Sequence, residues 1–213
     1  MKKGRFLTFE GPDGSGKSTQ AARLTARLRE HGIEVVQTRE PGGTPTGERI
    51  RDILQHDIAG EPICPETEVL LFAASRAQLV RRVILPALER GAWVVSDRFA
   101  DSTTAYQGYG RGFDVQRMLD INAFAIGPAV PDRTFLLDVD VEEGLRRAAR
   151  RARASRRELD RMEREATAFH EAVRRGYLEL ARRWPDRFRV FDTRKPEPVV
   201  AELIWNEVEP LLP

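Results

Sequence analysis

Residues 6–18 read FLTFEGPDGSGKS. The first five positions are short, apolar and aromatic and end on a carboxylate, the pattern of a buried strand. The next eight place Gly11, four residues, then Gly16, Lys17 and Ser18, which is the spacing of a phosphate loop set between a strand and a helix start. Glycines there let the backbone wrap with its N–H groups inward, and the first turn of the helix adds its positive dipole end. Lys17 is placed to reach β- and γ-phosphates, and Ser18 offers a hydroxyl for Mg²⁺. A plain glycine-rich turn would have no need of that lysine and hydroxyl. The stretch therefore predicts a nucleoside triphosphate site, with Gly11, Pro12, Asp13, Gly14, Ser15, Gly16, Lys17, Ser18 and Thr19 binding ATP.

Outward from this unit, short β-branched and aromatic runs recur at 33–38, 92–97, 134–138 and 188–192, separated by longer helical patterns. Among these are 17–31 closed by Gly32, 66–90 closed by Gly91, and a terminal helix around 198–208. Such alternation predicts a three-layer α/β fold, a central parallel sheet of about five strands with helices on both faces. The run Trp93-Val94-Val95-Ser96-Asp97 ends on a carboxylate, where this fold class holds the water shell of its metal; a helix cap or turn is the plainer role for such an Asp. Gly127-Pro128 and Pro131 mark the turn into the fourth strand. In 158–183, Leu159, Met162, Ala166, Phe169, Val173, Tyr177 and Leu180 fall at three- and four-residue steps, which predicts one helix with a buried stripe packed in the core.

The chain has 213 residues, 41% of them hydrophobic, enough for a full core without disulfide or metal. No repeat or linker divides it, so a single domain over 1–213 is expected. Basic and acidic residues nearly cancel, 35 against 33, which argues against a surface evenly coated for nucleic acid or membrane. Cys64 is the only cysteine; this excludes an intrachain disulfide and any cysteine-cluster metal site and fits a reducing, cytoplasmic home. The apolar stretch after Met1-Lys2-Lys3 stops at Glu10, far short of a signal core.

Positive charge is concentrated between residues 146 and 164, with nine arginines against three acidic residues. Transfer of a phosphoryl group between two anions needs such help, since unit charges ~5 Å apart at an effective dielectric of ~20 repel by roughly 3 kcal/mol. The segment reads as a mobile arginine-rich lid; a solvated helix face and a nucleic-acid surface are its rivals. By contrast 31 of the 35 basic residues are arginine, so the lysine kept at position 17 stands out.

Three further stretches carry a resemblance. Thr38-Arg39-Glu40-Pro41-Gly42-Gly43-Thr44, Leu71-Phe72-Ala73-Ala74-Ser75-Arg76-Ala77-Gln78 and the run from Asp97-Arg98-Phe99 to Tyr106-Gln107-Gly108 closely resemble bacterial thymidylate kinases. The resemblance spans the whole chain, including Leu159-Asp160-Arg161-Met162-Glu163 and Phe191-Asp192-Thr193. It implies transfer of the γ-phosphoryl of ATP to dTMP, giving dTDP, with Mg²⁺ at Ser18 and Asp97. It further implies that Phe72 stacks on thymine, that Arg76 and Gln107 read the O4 and N3 edge, and that Pro41 borders the 5-methyl group. Arg98 would grip the 5′-phosphate with Arg39 and Arg51 beside it, Asp13 would meet the 3′-hydroxyl near Glu40, and Tyr106 would crowd the 2′ position.

Phe99 and Thr103 depart from the Tyr and Ser common in the family, so a hydroxyl near the base is moved or lost. Catalytic roles are expected for Lys17, Arg98 and Asp13. The loop has Gly14 after Asp13 rather than a basic residue, so the lid supplies the catalytic arginine: Arg156 by count from Asp160-Arg161, with Arg151 and Arg153 as alternates. A homodimer through the long second and third helices is also implied. A kinase for another deoxynucleoside monophosphate is the nearest alternative. The sequence argues against a guanine-reading switch protein, since none of the four lysines follows an Asn. His31, His56 and His170 fall in no motif, and Cys64 reads as an inert loop or core residue.

Overall fold

The computed structural model describes residues 4–56, 60–155, 158 and 160–213. Five strands, β1 Phe6–Glu10, β2 Val35–Arg39, β3 Trp93–Asp97, β4 Arg133–Asp138 and β5 Phe188–Asp192, form one parallel sheet in the order β2-β3-β1-β4-β5. β1 at the centre is buried along its whole length, as a parallel strand covered on both faces must be. Its one polar side chain before Glu10, Thr8, is satisfied inside the sheet by the hydroxyl of Thr134 at 2.9 Å.

Side chains alternate across the sheet with period two. Leu7, Phe9, Trp93 and Val95 point to one layer, where they meet Leu24 and Leu28 of α1 (Lys17–Glu30) and Ile204, Trp205 and Val208 of α9 (Glu197–Val208). Phe6 and Val94 point to the other, against Leu79 of α3 (Pro65–Leu79), Val80 and Ile84. On that second layer Leu136 and Phe188 pack with Phe169, Val173, Tyr177 and Leu180 of α8 (Thr167–Arg183). The connection leaving β1 runs toward β2, while that leaving β3 crosses β1 to reach β4. A crevice at the carboxyl ends of β1 and β3 follows from that reversal, with Phe9 and Asp97 paired across the two strand ends.

Three elements differ from the sequence expectation. β2 starts at Val35 rather than 33, because the Ile33 amide is spent on the Leu28 carbonyl at 3.1 Å in the turn that Gly32 makes at φ +75°. The helix expected over 66–90 is α3, a single wide turn at Val80–Ile84 and α4 (Leu85–Glu89). Pro86 within α4 lacks an N–H and its ring crowds the preceding turn, so the chain widens there. The helix expected over 158–183 begins only at Thr167: the Asp160 carboxylate accepts from the amides of Met162 and Glu163 at 3.0 and 2.9 Å, a local turn that competes with helix. Leu159 lies outside the described residues, while Met162 still packs against the Phe169 to Leu180 cluster. The remaining helices are α2 (Pro45–Gln55), α5 (Ala100–Thr103), continued by a wide turn at Thr104–Gly110, α6 (Val115–Ile126) and α7 (Val141–Ala154). No helix among the described residues is long and apolar enough to cross a membrane.

Candidate active site

The phosphate loop joins β1 to α1 with Gly11, Gly14 and Gly16 at φ +141°, +74° and +94°, backbone angles that a side chain resists. Gly14 has a second constraint: a Cβ there would run into the backbone of Gly144 in α7, so the loop lies directly on the helix that leads into the lid segment. Lys17 is 6% exposed and folds back on its own loop, donating to the carbonyls of Gly11 at 3.0 Å and Pro12 at 2.7 Å. Burial and the neighbouring Arg98 push its pKa down to about 8. A phosphate in the loop would restore the charge and replace weak carbonyl acceptors with strong anionic ones.

Beside the loop, Ser18 Oγ donates to Asp97 Oδ2 at 2.5 Å. A hydroxyl and a carboxylate side by side at the mouth of a phosphate site are hard oxygen donors of the kind Mg²⁺ takes together with phosphate oxygens. No group of three His, Cys, Asp or Glu that could hold a metal ion is found among the described residues.

Arg98 follows β3 at φ +70°, an uncommon conformation for a side-chain-bearing residue. Two bonds fix it: its amide donates to the Phe9 carbonyl at 2.9 Å and its carbonyl accepts from Ser96 Oγ at 2.7 Å. The guanidinium then points back over β1, where it pairs with Asp13 and donates to the hydroxyls of Tyr106, Ser102 and Tyr177 at 3.1–3.2 Å. Burial pushes the Asp13 carboxyl up, but Arg98, Lys17 and the Tyr106 hydroxyl outweigh it and bring it down to about 2. Asp13 is thus an acceptor only. Beneath Arg98, Glu10 is fully buried and accepts from the Phe99 amide at 2.8 Å, Ser102 Oγ at 2.6 Å and Tyr177 OH at 3.0 Å. Burial and the Asp101 carboxylate raise Glu10 to about 7.

A cleft of about 530 Å³ runs from the loop along these residues. Asp13, Gly14, Gly16, Lys17, Ser18, Thr19 and Asp97 line its loop end; Arg39, Glu40, Pro41, Arg51, Phe72, Arg98, Thr103, Tyr106 and Gln107 line the remainder. Gly11, Pro12 and Ser15 of the loop are buried and are not on the cleft lining. Arg39 is held by Glu48 at 2.8 Å and Arg51 by the Pro41 carbonyl at 2.8 Å; burial and the adjacent Arg39 lower the Arg51 pKa.

Arg76 is 1% exposed and stands behind that wall. It donates twice to Glu40 Oε2 at 2.8 and 2.6 Å, to Asn122 Oδ1 at 2.6 Å and to Thr103 Oγ1 at 3.0 Å. The other Glu40 oxygen is buried without a partner, and burial raises the Glu40 pKa against the pull of Arg76. Phe99 is also away from the lining, fully buried and edge-to-face with Phe6 at 4.8 Å.

From the lid segment, Arg151, Ser155, Asp160, Met162 and Glu163 line the cleft, and Arg151 pairs with Glu163 at 2.9 Å. Arg153 is exposed and is not on the lining; Arg156 lies outside the described residues. Two functional contacts carried no motif. Tyr177 counted only as one of the apolar stripe, yet its hydroxyl reaches Arg98, and Glu10 showed only as a strand end. Cys64, at the start of α3, is exposed, the loop position among its two expectations.

The family model described as thymidylate kinase matches residues 9–204. A thymidylate kinase of Thermomicrobium roseum is 52% identical over 203 residues, 95% of this chain and 93% of that one. One from Deinococcus radiodurans is 50% identical over 208 residues, covering 98% of both. The solved structure of thymidylate kinase from Ehrlichia chaffeensis is 34% identical, with a TM-score of 0.75 over 97% of this chain and 98% of that chain.

The raised Glu10 value has a measurable consequence. A folded-state pKa of about 7 against an ordinary 4.5 gives a stabilising proton that is fully present below pH 4.5 and lost as pH rises through 7. Glu10→Gln has no such titration. Its melting temperature relative to wild type should therefore climb between pH 5 and pH 8, by the equivalent of about 1–3 kcal/mol; a difference that stays flat over that range would contradict the raised value.

Proposed function

The chain belongs to the thymidylate kinase family, and from that premise we propose that its cleft seats dTMP along the wall from Phe72 to Arg98 and the donor triphosphate in the loop around Lys17. The reaction is phosphorylation of dTMP to dTDP with ATP as donor, catalysed by a nucleoside monophosphate kinase. The observation that supports the assignment of sites is the convergence on one cleft of a phosphate loop, the guanidinium of Arg98 and the side chains of Phe72, Tyr106, Gln107 and Thr103.

In this reading thymine stacks on Phe72, with Pro41 against its 5-methyl group, Gln107 at its N3 edge and Tyr106 against the sugar where a ribose would carry its 2′-hydroxyl. Arg76 reaches O4 by giving up its bond to Thr103. The 5′-phosphate competes for the Arg98 donors now shared among Asp13 and three hydroxyls, with Arg39 and Arg51 adding charge from the far wall. Asp13, ionised at any working pH, accepts from the 3′-hydroxyl, and Glu40 lies close to the same sugar.

A phosphate oxygen of dTMP already carries the electron pair for attack, so no general base is needed. It forms a bond to the γ-phosphorus in line with the breaking bond to the β-γ bridging oxygen, and ADP leaves. Charge on the transferring group is met by Lys17, by the inward N–H groups of the loop and by a lid arginine. Of the three expected candidates, Arg151 is the one that the described residues place on the cleft lining. Ser18 and Asp97 would hold Mg²⁺, which supplies neutralising charge to the β- and γ-phosphates. Binding both substrates in one cleft turns an encounter of anions into a single oriented step.

We also propose a homodimer and a cytoplasmic location. Phe124 on α6 is 88% exposed and Leu70 on the adjoining α3 is 61% exposed, large apolar surfaces that a partner copy would cover. Phe124→Glu should sediment as a monomer if that face is the interface, and as a dimer if it is not.

The activity itself is tested by ADP release with dTMP, dUMP, dCMP, dGMP and AMP offered separately. dTMP should be strongly preferred, and Lys17→Met should lower kcat at least about a hundredfold. Equal rates across the acceptors would contradict the assignment of the base pocket.

A further inference from the structure

Behind Gln107, on the side away from the cleft, lies Glu68 of α3. It is 1% exposed, yet one amide and two guanidinium groups converge on it. Gln107 Nε2 donates to Glu68 Oε1 at 2.6 Å, Arg111 donates to the two oxygens at 3.4 and 3.2 Å, and Arg161 of the lid segment pairs with Oε2 at 2.5 Å. Burial alone would favour the neutral acid, but Gln107, Arg111 and Arg161 bring the Glu68 pKa below the ordinary carboxylate value. Glu68 is therefore a carboxylate, and a carboxylate can only accept.

This fixes the polarity of the neighbouring amide. An amide side chain can present either its oxygen or its nitrogen, and which one faces the cleft decides what base edge it recognises. Glu68 is absent from the cleft lining and sits with Arg111, Arg161 and Glu165 in a separate cavity of about 460 Å³ on the far side of Gln107. With its nitrogen bound from behind, Gln107 has its oxygen left for the cleft. We propose that Glu68 is a positioning residue for base specificity: it holds the Gln107 carbonyl toward the cleft, so that the site accepts a hydrogen bond from a pyrimidine with a protonated N3, as in thymine, and rejects cytosine, whose N3 is itself an acceptor.

The proposal rests on the assignment of the cleft to dTMP given above. It adds a role to a residue that touches no substrate. Arg161 ends on the same carboxylate and also donates to the Leu54 carbonyl of α2 at 3.2 Å, so one buried charge serves the base reader and the seating of the lid segment together.

The test is the ratio of kcat/KM for dTMP to that for dCMP in wild type, Glu68→Gln, Glu68→Asp and Arg161→Gln, each checked for folding by circular dichroism. Gln at position 68 can donate as well as accept, which frees the Gln107 amide to turn over; Asp keeps the charge for both arginines but falls a methylene short of Gln107. Either variant should lower the ratio at least about tenfold, chiefly through KM for dTMP. Arg161→Gln, which removes the ion pair to Glu68 and the bond to the Leu54 carbonyl but leaves Gln107 and Arg111 on the carboxylate, should keep the wild-type ratio. A ratio unchanged in whichever Glu68 variant folds, or lowered as much by Arg161→Gln, overturns the role of Glu68 while leaving the dTMP assignment intact. A wild type with no preference for dTMP overturns both.

Discussion

One guanidinium, that of Arg98, holds the two halves of the site together. It leaves the end of β3 in a conformation of uncommon sign, φ +70°, and crosses the carboxyl end of β1 to pair with Asp13 in the phosphate loop. The same group bonds Tyr106 in the wide turn after α5 and Tyr177 on α8. Loop, acceptor wall and the second helical layer are thus referenced to a single charge. Strain of this kind persists only where surrounding bonds over-determine it, and here the Phe9 carbonyl and Ser96 hydroxyl do so from the paired strand ends. The sheet order matters because it brings those two ends together.

Two carboxyls within this small region behave oppositely for a reason that is visible in their neighbours. Asp13 faces Arg98 and Lys17 and is held down to about 2, while Glu10 lies deeper, near Asp101, and is raised to about 7. Desolvation acts on both in the same direction, so the balance of nearby charge decides. Lys17 completes the set. Tied to loop carbonyls and lowered to about 8, it stands in a site built for more negative charge than the protein itself supplies. Substrate phosphates would provide it.

The fold was legible because its signals are local. A phosphate loop is a matter of consecutive residues, and strands buried on both faces show as largely apolar runs, which is why β1, β3 and β4 lie within a residue of their expected limits; the edge strand β5, only partly buried, shows through its β-branched and aromatic residues instead. The stretch 158–183 was less legible. Its apolar steps suggested one long helix, but the Asp160 carboxylate captures two amides and turns the chain first. Helical periodicity also separates arginines that sequence treats alike: Arg151 lines the cleft while Arg153, two positions or about 200° further round α7, is not on its lining. What sequence could not disclose are pairings across long separations, such as Arg76 with Asn122, Glu10 with Tyr177, and Glu68 with both Gln107 and Arg161. Each is a buried polar group answered by another element, and no spacing rule announces it.

The account stands on Arg98 as the grip on the acceptor phosphate. Calorimetric titration of wild type and Arg98→Ala with dTMP and with thymidine separates that role from any general effect on the pocket, since the two ligands differ only in the phosphate. The predicted result is a loss of about a hundredfold or more in affinity for dTMP, with thymidine affinity changed by less than about threefold. Equal losses for both ligands, or none for dTMP, would contradict it.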